Sequence, residues 1–565
     1  MHRPKPLTTL STLLALAFAL TAQLPTQTPS KEGTATVAGR VLLKGEPASG
    51  VSVGLQPQPQ SPSGAPYVPD RSKYLRSKTD NEGRFRFTNL AAGQYRILAL
   101  APGFVTSNDS PYASGKTLNL ADGENVENVE LTIKRGAVIT GRVTDPSGAP
   151  VIEKEVRVMK MDERGNFTRI PSIGGGYDFF RTDDRGIYRV HSLPAGKYKV
   201  SFGYSPQEYS PLEMSGVYYP RTFHPDATDE KQAKIIELSE GSEATDIDIK
   251  LSEKKRTYEV AGRVIEAETG QPVTGVRIGY GIPNQSGAIT GMVSVMTMTD
   301  AQGEFILQGV LPGKYVAFAD TRFDQQSDFY SDQTSFEIND GDVIGVEIKA
   351  HRGGSISGVA VVEGTNDPAI LSQLSRINLN LIYRGSGALM NNRSARPAAN
   401  GVFSFNGLRP GKADIRAFTP PEGLKQVRLE HNGAPVTDGF DLQPGERVTN
   451  VRVVFGYGTA VVRGQVKLTG GALPEGVTLA LRVKILSGSG SEFFIPVDAR
   501  GQFVLKNLAP GEYELKVFAN SPNRSPEMVQ LLELINKSTH RVTVGSGGET
   551  QTELVVDLSR KESDK

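Results

Sequence analysis

The chain contains no cysteine and no tryptophan, and six histidines are spread over its 565 residues. Without cysteine there can be no disulfide, no thiolate metal site and no cysteine nucleophile. The missing tryptophan removes a common platform for stacking sugar rings. Neither sign of charge is in excess, with 63 Lys and Arg against 62 Asp and Glu, so no net field draws the chain to nucleic acid or to an anionic membrane. After His2, the histidines are His191, His224, His351, His431 and His540, and none stands in the His-x-x-Glu or His-Glu-x-x-His spacing that holds zinc and polarises water. The chain also lacks a Gly-x-Ser-x-Gly elbow and a phosphate-binding glycine loop. Gly488-Ser489-Gly490 reads as a flexible tip between strands. These absences predict no enzyme, no cofactor and no metal centre.

What the chain has is glycine and proline, 61 and 35 of them, and a stretch that recurs five times. From Met298 to Val316 a glycine is followed ten positions later by another, as in Gly83 and Gly93, Gly186 and Gly196, Gly303 and Gly313, Gly401 and Gly411, Gly501 and Gly511. Between them large side chains alternate: Phe85 and Phe87, Tyr188 and Val190, Phe305 and Leu307, Phe403 and Phe405, Phe503 and Leu505. That is the period of a half-buried strand. Asp80, Asp183, Asp300 and Asp498 stand three residues before the first glycine, which predicts a type I turn; the fourth copy has Ala398 there. Leu311-Pro312-Gly313-Lys314 and its counterparts predict a type II turn, and Tyr95, Tyr198, Tyr315 and Tyr513 then begin a return strand. The unit reads as a β-hairpin.

An alternating opening strand with a central glycine precedes each unit: Gly39, Gly141, Gly262, Gly358 and Gly464. A strand glycine marks close approach by another backbone or a large ring, and the unit's aromatics are the expected neighbours. A short alternating strand closes each repeat, and the next opens within a few residues. The expected architecture is all-β, five tandem small Greek-key-type β-sandwich domains after an N-terminal signal peptide. The boundaries are 1–22 for the signal peptide, 23–33 for a polar spacer, then 34–134, 135–253, 254–351, 352–456 and 457–565. The tight junctions predict a stiff string reaching well beyond about 100 Å if extended. The leader rests on His2, Arg3 and Lys5 before an apolar run from Leu10 to Leu20. It predicts a secreted, periplasmic or cell-surface location, with membrane contact only if that segment stays uncleaved. Met528, Leu531, Leu532 and Ile535 stand at helical spacing in the last domain.

The glycine-marked opening strand, Pro-x-x-Gly-Val as in Pro47 and Gly50-Val51, Asp-x-x-Gly-x-Phe and Leu-x-Pro-Gly-x-Tyr together resemble the carboxypeptidase regulatory-like domain. The resemblance covers nearly all of the chain after the leader as tandem copies, with the fourth departing at Ala398 and Ala413. It implies a transthyretin-like or prealbumin-like β-sandwich, related in shape to starch-binding-like and collagen-adhesin B-type domains. The motif residues of that family are structural. The adhesin resemblance also implies internal Lys–Asn isopeptide bonds as an option.

Function is therefore expected in the loops that differ. The main reading is a non-catalytic exported scaffold or binding protein of the cell envelope or extracellular space, with a protein or polysaccharide partner. The alternative is carbohydrate binding through Tyr218, Tyr219, Arg221, Phe223 and His224 of the second domain and Phe329 and Tyr330 of the third, with Tyr112 comparable in the first. Recurrence at one position fits either a repeated ligand surface or a repeated packing plug, and large rings favour packing. Asp324, Asp328 and Asp332 supply oxygen ligands of the kind calcium takes, without a complete ligand loop.

Overall fold

The computed structural model describes residues 33–559 except 59–74, 107–114, 163, 171–179, 207–215, 285–288, 322–326, 385–391, 419, 422, 475–476, 487–491 and 522–524. The expected leader, nearly all of the spacer, Tyr112, Asp324 and Gly488-Ser489-Gly490 lie outside the described residues. Five two-sheet sandwiches follow one another. In the first, the opening strand Ala35–Leu43 lies between Arg84–Leu90, antiparallel to it, and the closing strand Asn125–Arg135, parallel to it; Phe104–Thr106 pairs on the far side of the closing strand. The facing sheet runs Leu75–Lys78, Ser52–Pro57, Gly93–Leu100, Lys116–Leu120. The third sandwich repeats both orders strand for strand. In the second, the closing strand is broken into Glu243–Ala244 and Ile249–Lys250. Each sandwich has its own apolar cluster between the sheets, including Phe85, Phe87, Tyr95 and Ile97 in the first.

The opening-strand glycines have the close neighbours their positions predict. A Cβ on Gly262 would stand 2.2 Å from the Val346 carbonyl oxygen and 2.6 Å from Phe305 Cζ. On Gly39 the corresponding distances are 2.0 Å to the Val129 oxygen and 2.7 Å to Phe85 Cζ. The closing backbone is thus pressed on one side and the ring on the other. The aspartate turns also form: Asp300 Oδ1 accepts the amides of Gln302 (2.9 Å) and Glu304 (2.8 Å), and Gly303 N–H donates to the Asp300 carbonyl at 3.0 Å. In the fourth copy Asn400 Oδ1 accepts one amide, that of Val402, at 3.2 Å.

The recurring unit is not a hairpin. Arg84–Leu90 pairs with the opening strand, whereas Gly93–Leu100 pairs with Ser52–Pro57 and Lys116–Leu120 in the other sheet. The same separation holds in all five copies. The Pro-Gly segment is an arch that carries the chain across the core. Its glycine is not the φ near +80° of a type II turn: Gly196, Gly313, Gly411 and Gly511 have φ of 152°, 157°, 136° and 152°. Alternation puts Phe85 and Tyr95 inward in either topology, so the periodicity did not distinguish them. A buried phenol then braces the arch. Tyr315 Oη donates to the Leu311 carbonyl at 2.9 Å and Tyr513 Oη to that of Ala509 at 2.8 Å; burial pushes the Tyr513 phenol up to about 12, so it stays a donor. The fourth copy has Ala413 at this place, and Tyr383, opposite Ala413 on the neighbouring strand, donates to the Arg409 carbonyl at 2.8 Å instead.

Helix Pro526–Ile535 starts where Ser525 Oγ accepts the Met528 amide at 3.3 Å, and it buries Met528, Leu532 and Ile535 in the fifth core. Among the described residues no helix is long and apolar enough to cross a membrane. The ends of the string meet. Residues 498–506 of the fifth sandwich touch Ala92, Asn119 and Glu124 of the first. The expected extended row is therefore a closed circuit of five domains. A contact between residues nearly 380 positions apart leaves no local pattern in the sequence.

Candidate functional site

The aromatic loops singled out by the sequence sit at the domain junctions. One hydrogen bond recurs at all four: a residue one or two positions before an opening strand donates its amide to a loop carbonyl of the preceding sandwich. Gly136 donates to Gly103 (2.8 Å), Thr257 to Gly216 (2.9 Å), Gly353 to Asp328 (2.9 Å) and Gly458 to Gly423 (3.0 Å). The residue after each acceptor begins a strand, Phe104–Thr106, Val217–Tyr218, Phe329–Ser331 and Leu424–His431. Its partners end just before the junction or start the next domain, through Phe104↔Arg135, Val217↔Arg256, Phe329↔Arg352 and Leu424↔Tyr457. A short segment thus ties the exit of one sandwich to the entry of the next.

The seven candidate residues divide around this device. Tyr218 is 8% exposed and packs on Leu311, in the arch of the third sandwich, with Tyr204 beside it. Burial raises its phenol pKa. Phe223, 3% exposed, pairs opposite Ser201 and packs on Met159 and Ala233. His224 is 5% exposed; its Nδ1 lies 2.6 Å from the Asp248 carbonyl. Tyr219 and Arg221 are half-buried. Tyr219 meets Phe202 edge to face at 6.2 Å, and Lys254 Nζ lies 5.0 Å from its ring centre. The Arg221 amide donates to the Tyr204 carbonyl at 2.9 Å. Of the loop's rings, Tyr218 therefore reaches the seam with the third sandwich, while Phe223 and Tyr219 pack against the second.

Phe329 and Tyr330 are half-buried at the next seam. A Cβ on Gly407 of the fourth sandwich would stand 2.5 Å from the Phe329 carbonyl oxygen, and Arg393 reaches from the fourth sandwich to the Gly407 and Phe329 carbonyls at 3.1 and 3.4 Å. Tyr330 stacks on His351 at 5.3 Å. His351 Nε2 lies 2.8 Å from Asp332 and Nδ1 3.2 Å from Glu268. The Asp332 hydrogen bond, aided by Glu268 and opposed by partial burial, raises the His351 pKa. Asp328 pairs with Arg352, which also binds Glu266 at 2.7 Å. Asp328 and Asp332, weighed above as calcium ligands, thus each face a cation-forming partner. Among the described residues no group of three or more His, Asp or Glu gathers to hold a metal.

Sequence reasoning missed two recurring devices. Asn89, Ser192, Gly309, Gly407 and Asn507, each four residues before the arch glycine, all have positive φ and sit at a bulge against the opening strand, as the shift from Ala35↔Leu90 to Val37↔Phe87 shows. The repeated small or amide residue there was a usable signal. Thr79 and Thr299, next to the turn aspartate, are buried and accept the amides of Val51 and Val276 at 2.8 and 3.0 Å while donating to the carbonyls of Ala48 and Val273.

No protein-family model matches this chain, and no curated protein does. Among solved structures it is similar to a streptococcal ancillary pilin, at 13% identity and a TM-score of 0.24 over 56% of this chain and 99% of that one. It is also similar to the TIE protein of Bacillus anthracis, at 13% identity and a TM-score of 0.15 over 82% and 70% of the two chains. A third is BcpA, the major pilin subunit of Bacillus cereus, at 13% identity and a TM-score of 0.15 over 53% and 100%.

Proposed function

We propose that the chain is a non-catalytic exported scaffold of the cell envelope or extracellular space, built from carboxypeptidase regulatory-like repeats, that holds a protein or polysaccharide partner. The observation that carries this reading is the junction hydrogen bond repeated four times. It ties each sandwich to its neighbour, Tyr218 packs across one seam onto Leu311, and Phe223, Tyr219 and Phe329 pack on their own sandwiches rather than converge on reactive groups. A scaffold needs that mutual fixing; a string of independent binding modules does not. The apolar leader supports export. The test is fractionation of cells expressing the full chain, followed by cross-linking in place. Recovery from the envelope or medium, with a cross-linked partner, is expected; recovery from the cytosol alone refutes the reading.

A second reading, carbohydrate binding, draws on Tyr219 and Arg221, both of which are only half-buried. A polysaccharide pull-down decides it. Retained sugar that Tyr219→Ala with Arg221→Ala does not release rules out this site.

A further inference from the structure

The contact that closes the circuit is made of polar groups. Strand Lys116–Leu120 is the outermost strand of its sheet, and on its open side the fifth sandwich supplies the missing partners. Asn119 N–H donates to Asp498 Oδ2 at 3.2 Å, and the Asn119 carbonyl accepts Arg500 Nη2 at 3.0 Å. Asn119 Nδ2 donates to the Gln502 carbonyl at 2.8 Å, while its Oδ1 accepts Gln94 Nε2 at 3.1 Å. Arg500 Nη1 pairs with Glu124 Oε1 at 2.7 Å, and Lys506 Nζ donates to the Ala92 carbonyl at 2.8 Å.

The reading head is preformed. Asp498 Oδ1 holds its own turn through the amides of Arg500 and Gln502, both at 2.9 Å, which leaves Oδ2 to bind Arg500 (2.8 Å) and Asn119 together. The Asp498 side chain is fully buried. A carboxylate and a guanidinium on one rigid turn thus read the N–H and C=O of a single strand residue, as an added strand would. The apolar clusters of the first and fifth sandwiches share no residue, whereas Val427 and Val454 of the fourth belong to the cluster of the fifth. A contact without shared apolar burial separates more easily than the fourth–fifth seam, or than the second–third seam where Tyr218 packs on Leu311.

We propose that this contact is a releasable latch, and that the strand edge it covers also takes the Asp498–Arg500 turn of a second copy of this chain. The two faces are different and complementary, so exchange between copies makes a heterologous, head-to-tail pairing. The inference stands on the contact itself and is independent of the scaffold reading.

Two variants of the full chain test it. Arg500→Ala removes the turn's grip and keeps the edge. Asn119→Asp with Glu124→Arg sets a carboxylate against Asp498 and a guanidinium against Arg500, and keeps the turn. Each variant alone is expected to be a monomer with a larger radius of gyration by in-line scattering than the native chain. Mixed, they are expected to form a one-to-one pair, seen by light scattering as a doubled mass, because one intact edge meets one intact turn and growth stops there. Native radii in both variants overturn the latch. Enlarged radii without a mixed pair overturn docking between copies. The mixed pair needs one sound face from each variant, so it also reports that those faces are folded.

Discussion

Replacing Gly262 by alanine tests the physical account of the repeated opening strand. The added Cβ would stand 2.2 Å from the Val346 carbonyl oxygen and 2.6 Å from Phe305 Cζ, where relaxed contacts are roughly 3.3–3.6 Å for carbon to oxygen and 3.5–4.0 Å for carbon to carbon. About 1 Å of displacement is therefore required on both sides. The ring cannot retreat freely, because Phe305 is 3% exposed in the third core, and the carbonyl belongs to the parallel pairing of Gly262 with Val346. Overpacking costs about 1–3 kcal/mol, and a weakened ladder bond adds about 1 kcal/mol, so the total is roughly 2–4 kcal/mol. Five domains do not unfold as one two-state unit, so the measurement must be local. Amide exchange by mass spectrometry on the intact chain should show protection of 258–266 and 343–352 falling by about one and a half to three orders of magnitude. Gly341→Ala is the control, since its Cβ meets nothing within 4 Å and its φ is not left-handed. Native-like exchange in the Gly262 variant, or equal losses in both, refutes the close-approach argument.

Other outcomes follow from the same geometry. Tyr315→Phe and Tyr383→Phe should each cost about 1–2 kcal/mol in local exchange of their own sandwich, although the two phenols come from different strands; a silent Tyr383→Phe contradicts its role as the stand-in brace. Ala398→Asp should stabilise the fourth turn by about 0.5–1 kcal/mol, read as slower exchange at Gly401 and Val402; faster exchange there counts against the turn account. The histidinium form of His351 is favoured by Asp332 and Glu268, so its stabilising contribution is complete below about pH 6.5 and is lost as pH rises through the raised folded value. The midpoint of the His351 ring signal in NMR should fall when Asp332→Asn is introduced, and an unchanged midpoint would show that the contact does not hold the proton.

Legibility followed range in sequence. The turn at Asp300 needs five consecutive residues, and the glycine at 262 needs only strand alternation around it, so both could be read directly. The arch could not, because Phe305 and Tyr315 point inward whether their strands pair with each other or lie in opposite sheets. The assignment of the Tyr218 and Phe329 loops to seams needed the partner domain: Leu311 lies 93 positions after Tyr218, and Gly407 lies 78 after Phe329. Tyr383 as the substitute for the tyrosine missing at Ala413 was hidden for the same reason. The spacing of repeated motifs revealed the number of sandwiches and was silent on how they touch.

The parallel pairing of opening and closing strands has a mechanical consequence. In the third sandwich Val260↔Val343 and Glu266↔Ala350 bracket the pairing, so the chain enters at one end of the two strands and leaves at the other. Tension applied through the two junctions then slides these strands past one another lengthwise. The ladder bonds between them bear the load together rather than parting one at a time from an end, as in a zipper. A sandwich threaded this way resists pulling along the chain far better than its modest size suggests. In the second sandwich that ladder is interrupted between Ala244 and Ile249, which marks it as the domain that yields first.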